Sequence, residues 1–273
     1  MPTTDLTIVG DSAVVTGSGR GIGREIAGAL VRAGVDVAVN DVDAAAVDEA
    51  VEALSAVDGD GDGDGGTGDV VGVQGDASDP DDTARLIEEA VDAFGGLDLL
   101  VNNVGIAGPT KPCEEISHEE FMRTLSVNLG GQFNATKAAI PHLREDGPGR
   151  IVNVSSMSGK RPLRDRTPYT TSKMGVVGFT RTLAVELAAD DVTVNAVCPG
   201  SVEGPRLDAV IEGQAESQGR PVEDVRREFR EVSPQHTFVG PDDVADAVLL
   251  LCSDRTDHVT GQDLNVTGGI VMY

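Results

Sequence analysis

The chain predicts an α/β fold, a parallel sheet of about seven strands with helices on both faces, and three observations carry that expectation. Short valine-rich runs alternate with helical patterns along all 273 residues. A glycine-rich turn, Thr16-Gly17-Ser18-Gly19-Arg20-Gly21-Ile22-Gly23, stands between the first such run and the first helical pattern. No linker divides the chain, so a single domain over residues 1–273 is expected.

Ser12-Ala13-Val14-Val15 reads as the first strand, and Ile26, Ala27, Leu30 and Val31 recur at helical spacing after the turn. Strand, glycine turn and helix form a phosphate cradle. Glycines let the backbone approach a pyrophosphate, and the free N–H groups of the helix start complement its charge. Gly17, Ser18, Gly19, Arg20, Gly21 and Ile22 are therefore candidate coenzyme contacts. The spacing differs from the common Gly-x-Gly-x-x-Gly fingerprint, and a glycine turn with no ligand is the alternative. Val35-Asp36-Val37-Ala38-Val39 is the second strand, with Asp41 just past its end and 18 residues after Gly23. A carboxylate there holds both ribose hydroxyls of an adenosine and repels a 2′-phosphate, so NAD is expected over NADP. Arg20 works against that preference by offsetting the charge of Asp41. A plain helix cap before residues 43–56 is the other reading of Asp41.

The third strand runs from Val70 to Gln74-Gly75-Asp76, where Asp76 is placed to accept a hydrogen bond from an adenine amino group. A helix over 79–94 precedes the strand Leu97-Asp98-Leu99-Leu100-Val101, which runs into Asn102-Asn103-Val104-Gly105. A long helix over 117–143 carries Asn128, and an asparagine in mid-helix is ordinarily exposed. The strand Arg150-Ile151-Val152-Asn153-Val154-Ser155-Ser156 ends in hydroxyls at the edge where open α/β sheets gather ligands. Then come a helix over 168–189, a strand over 192–197 into Cys198-Pro199-Gly200, a helix over 244–252 and a seventh strand over 262–266.

Residues 58–69 read Asp-Gly-Asp-Gly-Asp-Gly-Asp-Gly-Gly-Thr-Gly-Asp, a low-complexity acidic insertion. Asp58, Asp60, Asp62, Gly63 and Asp69 fall near EF-hand loop positions, but the last ligand is Asp where Glu is expected, and no paired helices flank the loop. A solvated, flexible loop is expected and no metal site.

Acidic residues number 46 against 21 basic, for a formal charge of -25. Such a surface repels a phosphate backbone, and no basic tract or aromatic platform compensates, which excludes nucleic acid as a partner. The lysines are Lys111, Lys137, Lys160 and Lys173 alone. Acid excess spread along the whole chain with so few lysines reads as adaptation to a salt-loaded cytoplasm, where screening relieves self-repulsion. Cys113, Cys198 and Cys252 suit neither a disulfide framework nor a zinc cluster, and are expected to be reduced and structural. No leader pattern and no apolar run of membrane length is present, so a cytoplasmic protein that does not enter membranes is expected.

Tyr169-Thr170-Thr171-Ser172-Lys173 can carry proton transfer by itself. Residues four apart share a helix face, which sets the Lys173 ammonium beside the Tyr169 phenol. A free phenol has a pKa of about 10, and a fixed cation nearby favours the phenolate, so Tyr169 can exchange a proton near neutral pH. The same pattern arises by chance on solvated helices, and it gains weight only from the motifs upstream.

Together, Thr16-Gly-x-x-x-Gly-x-Gly23, Asp41, Asn102-Asn103-x-Gly105, Asn128, Ser156, Tyr169-x-x-x-Lys173 and Pro199-Gly200 resemble the short-chain dehydrogenase/reductase family in order and approximate spacing, over essentially the full length. The resemblance implies a Rossmann-type doubly wound sheet, and a homodimer or homotetramer built through the long helices and the C-terminal strand. It also implies roles. Ser156, not Ser155, is the catalytic serine, because the family's serine stands 13 residues before its tyrosine. Tyr169 is the general acid/base, Ser156 holds the substrate oxygen, and Lys173 lowers the tyrosine pKa and binds the nicotinamide ribose. Asn128 holds a helix kink and a water that links Lys173 to solvent. Asn103, Gly105, Tyr169, Lys173, Pro199 and Gly200 join the coenzyme contacts. Two positions depart from the family: Val104 where Ala is common, and Ser201-Val202-Glu203-Gly204 where a Thr usually touches the nicotinamide amide. The Val202 N–H and the Ser201 hydroxyl are the candidates for that contact.

The reaction implied is hydride transfer between NAD and a secondary alcohol or ketone: a sugar, polyol, hydroxy acid or cyclic alcohol. Residues 203–238 occupy the place of the family's substrate lid. Lys160-Arg161-Pro162-Leu163-Arg164-Asp165-Arg166 is a basic island in an acidic chain, with Arg206 at the lid's start, and admits either an anionic substrate or salt bridges and subunit contact. Two other functions stand beside this one: a 3-oxoacyl-thioester reductase, which Asp41 opposes through its preference against NADPH, and a nucleotide sensor without catalysis, which the intact Asn128, Ser156, Tyr169 and Lys173 set oppose.

Overall fold

The computed structural model describes residues 6–57, 66–145 and 147–273. Within them the strands β1 (Ser12–Val15), β2 (Asp36–Asp41), β3 (Val70–Gln74), β4 (Leu99–Asn102), β5 (Arg150–Val154), β6 (Thr193–Pro199) and β7 (Asp263–Val266) form one sheet. Every pairing is parallel and the order is β3-β2-β1-β4-β5-β6-β7. The helices in chain order are α1 (Gly21–Arg32), α2 (Ala44–Ser55), α3 (Pro80–Phe94), α4 (His118–Leu125), α5 (Gly131–Leu143), α6 (Met157–Lys160), α7 (Thr167–Leu187), α8 (Pro205–Gln218), α9 (Val222–Glu231) and α10 (Pro241–Leu251).

The central strands are mostly apolar and buried because both sheet faces are covered. Side chains alternate between the faces. Ala13, Val15, Val37 and Val39 pack under α1, α2 and α10, while Val14, Ala38, Leu100 and Ile151 pack under α3, α5 and α7. The chain runs outward from β1 to β3, then returns to β4 on the other side of β1. At that reversal the connections after β1 and β4 leave in opposite directions, which opens a crevice at the carboxyl ends of the strands. The doubly wound expectation is met.

The expected helix over 117–143 is interrupted. Ser117 and Glu120 form a capping box at the start of α4, and residues Ser126–Gly130 make a π-helical turn before α5. Asn128, which an ordinary mid-helix position would expose, is fully buried in that turn, at the place where the resemblance implied a kink. The wide turn lets its side chain point inward, which a plain solvated helix position does not. The stretch 203–238 folds as α8 and α9 around a small apolar cluster of Leu207, Ile211, Ala215, Val225 and Phe238, set apart from the two main cores.

Of the acidic insertion, residues 58–65 lie outside the described residues, and with them the calcium comparison at Asp58, Asp60, Asp62 and Gly63. Among the described residues no cluster of His, Cys, Asp or Glu could hold a metal, and no helix is long and apolar enough to cross a membrane. The three cysteines are free, but Cys113 is exposed, so the expectation of a structural thiol fails there. Cys198 and Cys252 are buried, and burial pushes the Cys252 thiol up to about 12.

Candidate active site

A cleft of about 500 Å³ follows the carboxyl ends of β1, β2, β4, β5 and β6. Gly17, Arg20, Gly21 and Ile22 line one end. No side chain caps the start of α1, and its first turn carries no acid, so its leading N–H groups are left for a ligand. The turn is tight: a Cβ at Gly23 would lie 2.3 Å from the Gly17 carbonyl oxygen. Ser18 and Gly19, two of the expected coenzyme contacts, stand behind the wall. The Ser18 hydroxyl is buried, donating to the Val15 carbonyl at 2.6 Å and accepting from the Asn40 N–H at 3.0 Å, while Gly19 packs against Asp41. These two residues shape the turn from inside.

Asp41 is the last residue of β2 and lines the cleft with its side chain 13% exposed. It is not the helix cap: Asp43 caps α2 by accepting from the Ala45 N–H. Asp43 also takes up Arg20, whose guanidinium lies 2.8 Å from Asp43 and 4.0 Å from Asp41. The residue expected to offset Asp41 is thus held mainly by another carboxylate. Asp76 lines the same end and accepts from the N–H and hydroxyl of Ser78. Asn103 ties the turn to β4: its amide donates to the carbonyls of Thr16 and Gly17 at 3.0 and 2.8 Å.

At the other end Gly105, Ser156, Tyr169, Lys173, Pro199, Gly200 and Val202 line the cleft. Ser156 follows β5 and caps α6, its hydroxyl accepting from the Ser158 N–H. The Ser155 hydroxyl instead donates to the Lys173 carbonyl at 2.7 Å. Lys173 is buried and donates to the Val154 carbonyl at 2.8 Å. Burial, helped by the positive charge of Arg206, lowers its pKa to about 7. Asn128 lies behind the wall, accepting from the Ile106 N–H at 2.7 Å and donating to the Ile106 carbonyl and the Ser172 hydroxyl, both at 3.0 Å. Gly105 fits between the two: a Cβ there would lie 3.2 Å from Asn128 Oδ1 and 3.4 Å from Lys173 Nζ.

The cation packed on the Tyr169 ring is one that the helix-face argument missed. The Arg166 guanidinium lies 4.7 Å from the ring centroid, whereas Lys173 reaches to β5. Arg166 is the residue just before α7, outside the regular helical spacing, and the basic island was its only signal. That island divides. Lys160 is held by Asp263 at 2.5 Å and by Asn265, and Arg164 faces Asp165, as a salt-bridge role requires, but among the described residues Arg166 has no carboxylate partner.

The residues fit a nicotinamide coenzyme. The helix start of α1 is uncapped, Asp41 presents a carboxylate at the end of β2, and the buried Ser201 hydroxyl in the cleft lacks any partner. Gly200 and Ser201 are fixed by the tie of the Gly200 N–H to Val266 and of the Ser201 carbonyl to Val239.

Residues 17–271 match a family model described as enoyl-(acyl carrier protein) reductase. The chain therefore belongs to the short-chain dehydrogenase/reductase family, whose members act as oxidoreductases on alcohol and ketone groups with nicotinamide coenzymes. It is 36% identical over 267 residues to D-beta-hydroxybutyrate dehydrogenase of Cupriavidus necator, covering 96% of this chain and 98% of that one. It is 34% identical over 265 residues to the 3-oxoacyl-[acyl-carrier-protein] reductase FabG of Staphylococcus aureus, covering 96% and 98%. The crystal structure of actinorhodin polyketide ketoreductase with NADPH is similar at a TM-score of 0.88 and 34% identity, covering 96% and 98%.

Proposed function

We propose that this chain is an NAD-dependent dehydrogenase that interconverts a small secondary alcohol and its ketone. The observation that carries the proposal is the meeting of Ser156, Tyr169 and Lys173 with an uncapped glycine turn in one cleft. The bound nicotinamide supplies the hydride acceptor or donor. In oxidation, Tyr169 removes the hydroxyl proton as the carbinol C–H electron pair departs as hydride, and the O–H electrons close the C=O bond. Ser156 holds the reacting oxygen and steadies its changing charge. The Arg166 guanidinium packs on the Tyr169 ring, 4.7 Å from its centroid, and Lys173 lines the cleft beside it. The proton leaves past Lys173 and the Asn128 turn. In reduction each step reverses.

Asp41 supports NAD, because Arg20, the one guanidinium of the turn, is drawn to Asp43. The Ser201 hydroxyl and the Val202 N–H serve the nicotinamide amide in place of the family's Thr. Residues 203–238, with their separate apolar cluster, act as the substrate lid. Assembly as a homodimer or homotetramer is supported by apolar side chains left in the open on α4, α5 and α7: Met122 at 46%, Phe133 at 51% and Met174 at 49% exposure. The charge of -25 supports work in a salt-loaded cytoplasm. A 3-oxoacyl-thioester reductase is the second reading, favoured by the likeness to FabG and opposed by Asp41.

The test is the appearance of reduced nicotinamide at high salt, with NAD and NADP in parallel, over secondary alcohols with and without carboxylates. Turnover faster with NAD is expected. Turnover confined to NADPH and acyl thioesters would transfer the assignment to the second reading, and tight NAD binding with no turnover would favour a sensor.

A further inference from the structure

The reaction end of the cleft holds positive charge that this acidic molecule leaves unbalanced. Arg166 is 3% exposed; its Nη1 donates to the Thr110 hydroxyl at 3.1 Å, and its buried Nε has no partner. Arg206, at the start of α8, is exposed to solvent, lines the same cleft and donates to the Gly105 carbonyl. The two guanidinium charges oppose each other, and that of Arg206 also opposes Lys173. Arg150, the other arginine as deeply buried as Arg166, lies 2.5 Å from the Asp257 carboxylate. Among the described residues no carboxylate pairs with Arg166 or Arg206. Of the acids that line the cleft, Asp41 and Asp76 belong to its glycine-turn end, and Glu203 is exposed at the lid's edge.

The buried Arg166 guanidinium without a counter-charge is costly, and a chain with 46 acidic residues had many ways to supply one. We infer that the substrate supplies it: the reacting alcohol is a short hydroxy acid, or its oxo acid in the reverse direction, whose carboxylate is bound by Arg166 and Arg206. The spacing follows from the ring that Arg166 covers. Tyr169 takes its proton at the phenol oxygen, so carbinol and carboxylate must be only a few bonds apart. A thioester presents a neutral carbonyl at that distance and leaves both cations unpaired. The Arg166 fork meets a carboxylate in bidentate fashion, which a hydroxyl of a sugar cannot match. This inference rests on the dehydrogenase reading above and narrows its substrate class.

The experiment compares 2- and 3-hydroxy acids with their methyl esters at constant ionic strength, in the full-length protein with NAD. The readout is the ratio of kcat/KM for each acid to that for its ester. The expected ratio in the wild type is about 100 for the preferred acid, falling by a similar factor in Arg166→Met and in Arg206→Met, and partly restored in Arg166→Lys. A purely structural role for Arg166 would depress acid and ester alike and leave the ratio unchanged, and an acid-to-ester ratio near unity in the wild type would overturn the inference. If no alcohol is oxidised at all, the dehydrogenase reading fails, and the inference is then judged by calorimetry of propionate on the NAD-bound protein against equal potassium chloride. Propionate binding that is lost in Arg166→Met supports the carboxylate site; absence of binding in the wild type refutes it.

Discussion

Lys173 is the residue whose environment most constrains the chemistry. It is buried beside β5 with a backbone carbonyl as its hydrogen-bond partner, and burial together with Arg206 brings its pKa from 10.5 to about 7. Below pH 7 both the folded and the unfolded chain hold this proton. Between about 7 and 10.5 the unfolded chain holds it and the folded chain does not, so stability from this group rises with pH through that window. The slope approaches about 1.4 kcal/mol per pH unit. Urea unfolding of the coenzyme-free protein between pH 7 and 9 should therefore show the wild type gaining stability relative to Lys173→Met; parallel curves would contradict the buried charge. The motif residues at this scale were legible because local rules fix their spacing: a glycine turn, a strand end, a helix face. Arg166 was legible only as part of a basic island, and Arg206 only as a cation at the lid's start. Whether a guanidinium is solvated or desolvated depends on what closes over it, and that is decided by the packing of distant segments.

Elements were legible where periodicity decides them. All seven strands appear within a few residues of the expected bounds, because parallel strands covered on both faces are rich in valine, leucine and isoleucine. The helix over 117–143 is interrupted at Asn128, where the family resemblance implied a kink and the periodicity alone did not. Its pattern continues through residues 126–130, but the backbone widens there into a π turn and carries Asn128 inward. Polar identity alone pointed to the surface. The reason it is buried is the partner: Ile106, on the loop after β4, has both its N–H and its carbonyl satisfied by the Asn128 amide. Removing that amide by Asn128→Ala strands both groups, at a cost of about 1–3 kcal/mol each when water cannot reach them. The expected outcome is a lower unfolding midpoint at fixed salt and protein concentration, accompanied by a fall in kcat, since the same turn backs Gly105 and Lys173. An unchanged midpoint would show that water replaces the amide and that the turn does not depend on it.

Across the whole molecule, charge is the dominant feature beyond the fold. With 46 acidic and 21 basic residues, repulsion acts over the entire surface, and its range shrinks from about 10 Å at 0.1 M salt to about 3 Å at 1 M. The melting temperature is expected to rise steadily with potassium chloride over that range; a flat response would remove the link between composition and a salt-loaded cytoplasm. The same field bears on the substrate. A surface this negative slows the approach of anions at low salt, so the carboxylate specificity argued from Arg166 and Arg206 should appear in KM more strongly as salt is raised. The doubly wound architecture explains why the site can hold both halves of the reaction: the reversal between β1 and β4 sets the glycine turn at one end of the crevice, and β5 with α7 delivers Ser156, Tyr169 and Lys173 to the other.

The central claim is that Tyr169 carries the proton while the cleft aligns hydride transfer, and Tyr169→Phe tests it most directly, because it keeps the ring on which Arg166 packs and deletes only the hydroxyl. Measured with NAD at saturating alcohol and high salt, kcat is predicted to fall by about 10²- to 10⁴-fold while the dissociation constant for NAD stays near that of the wild type. Turnover within a few-fold of the wild type, with NAD still bound, would contradict the account.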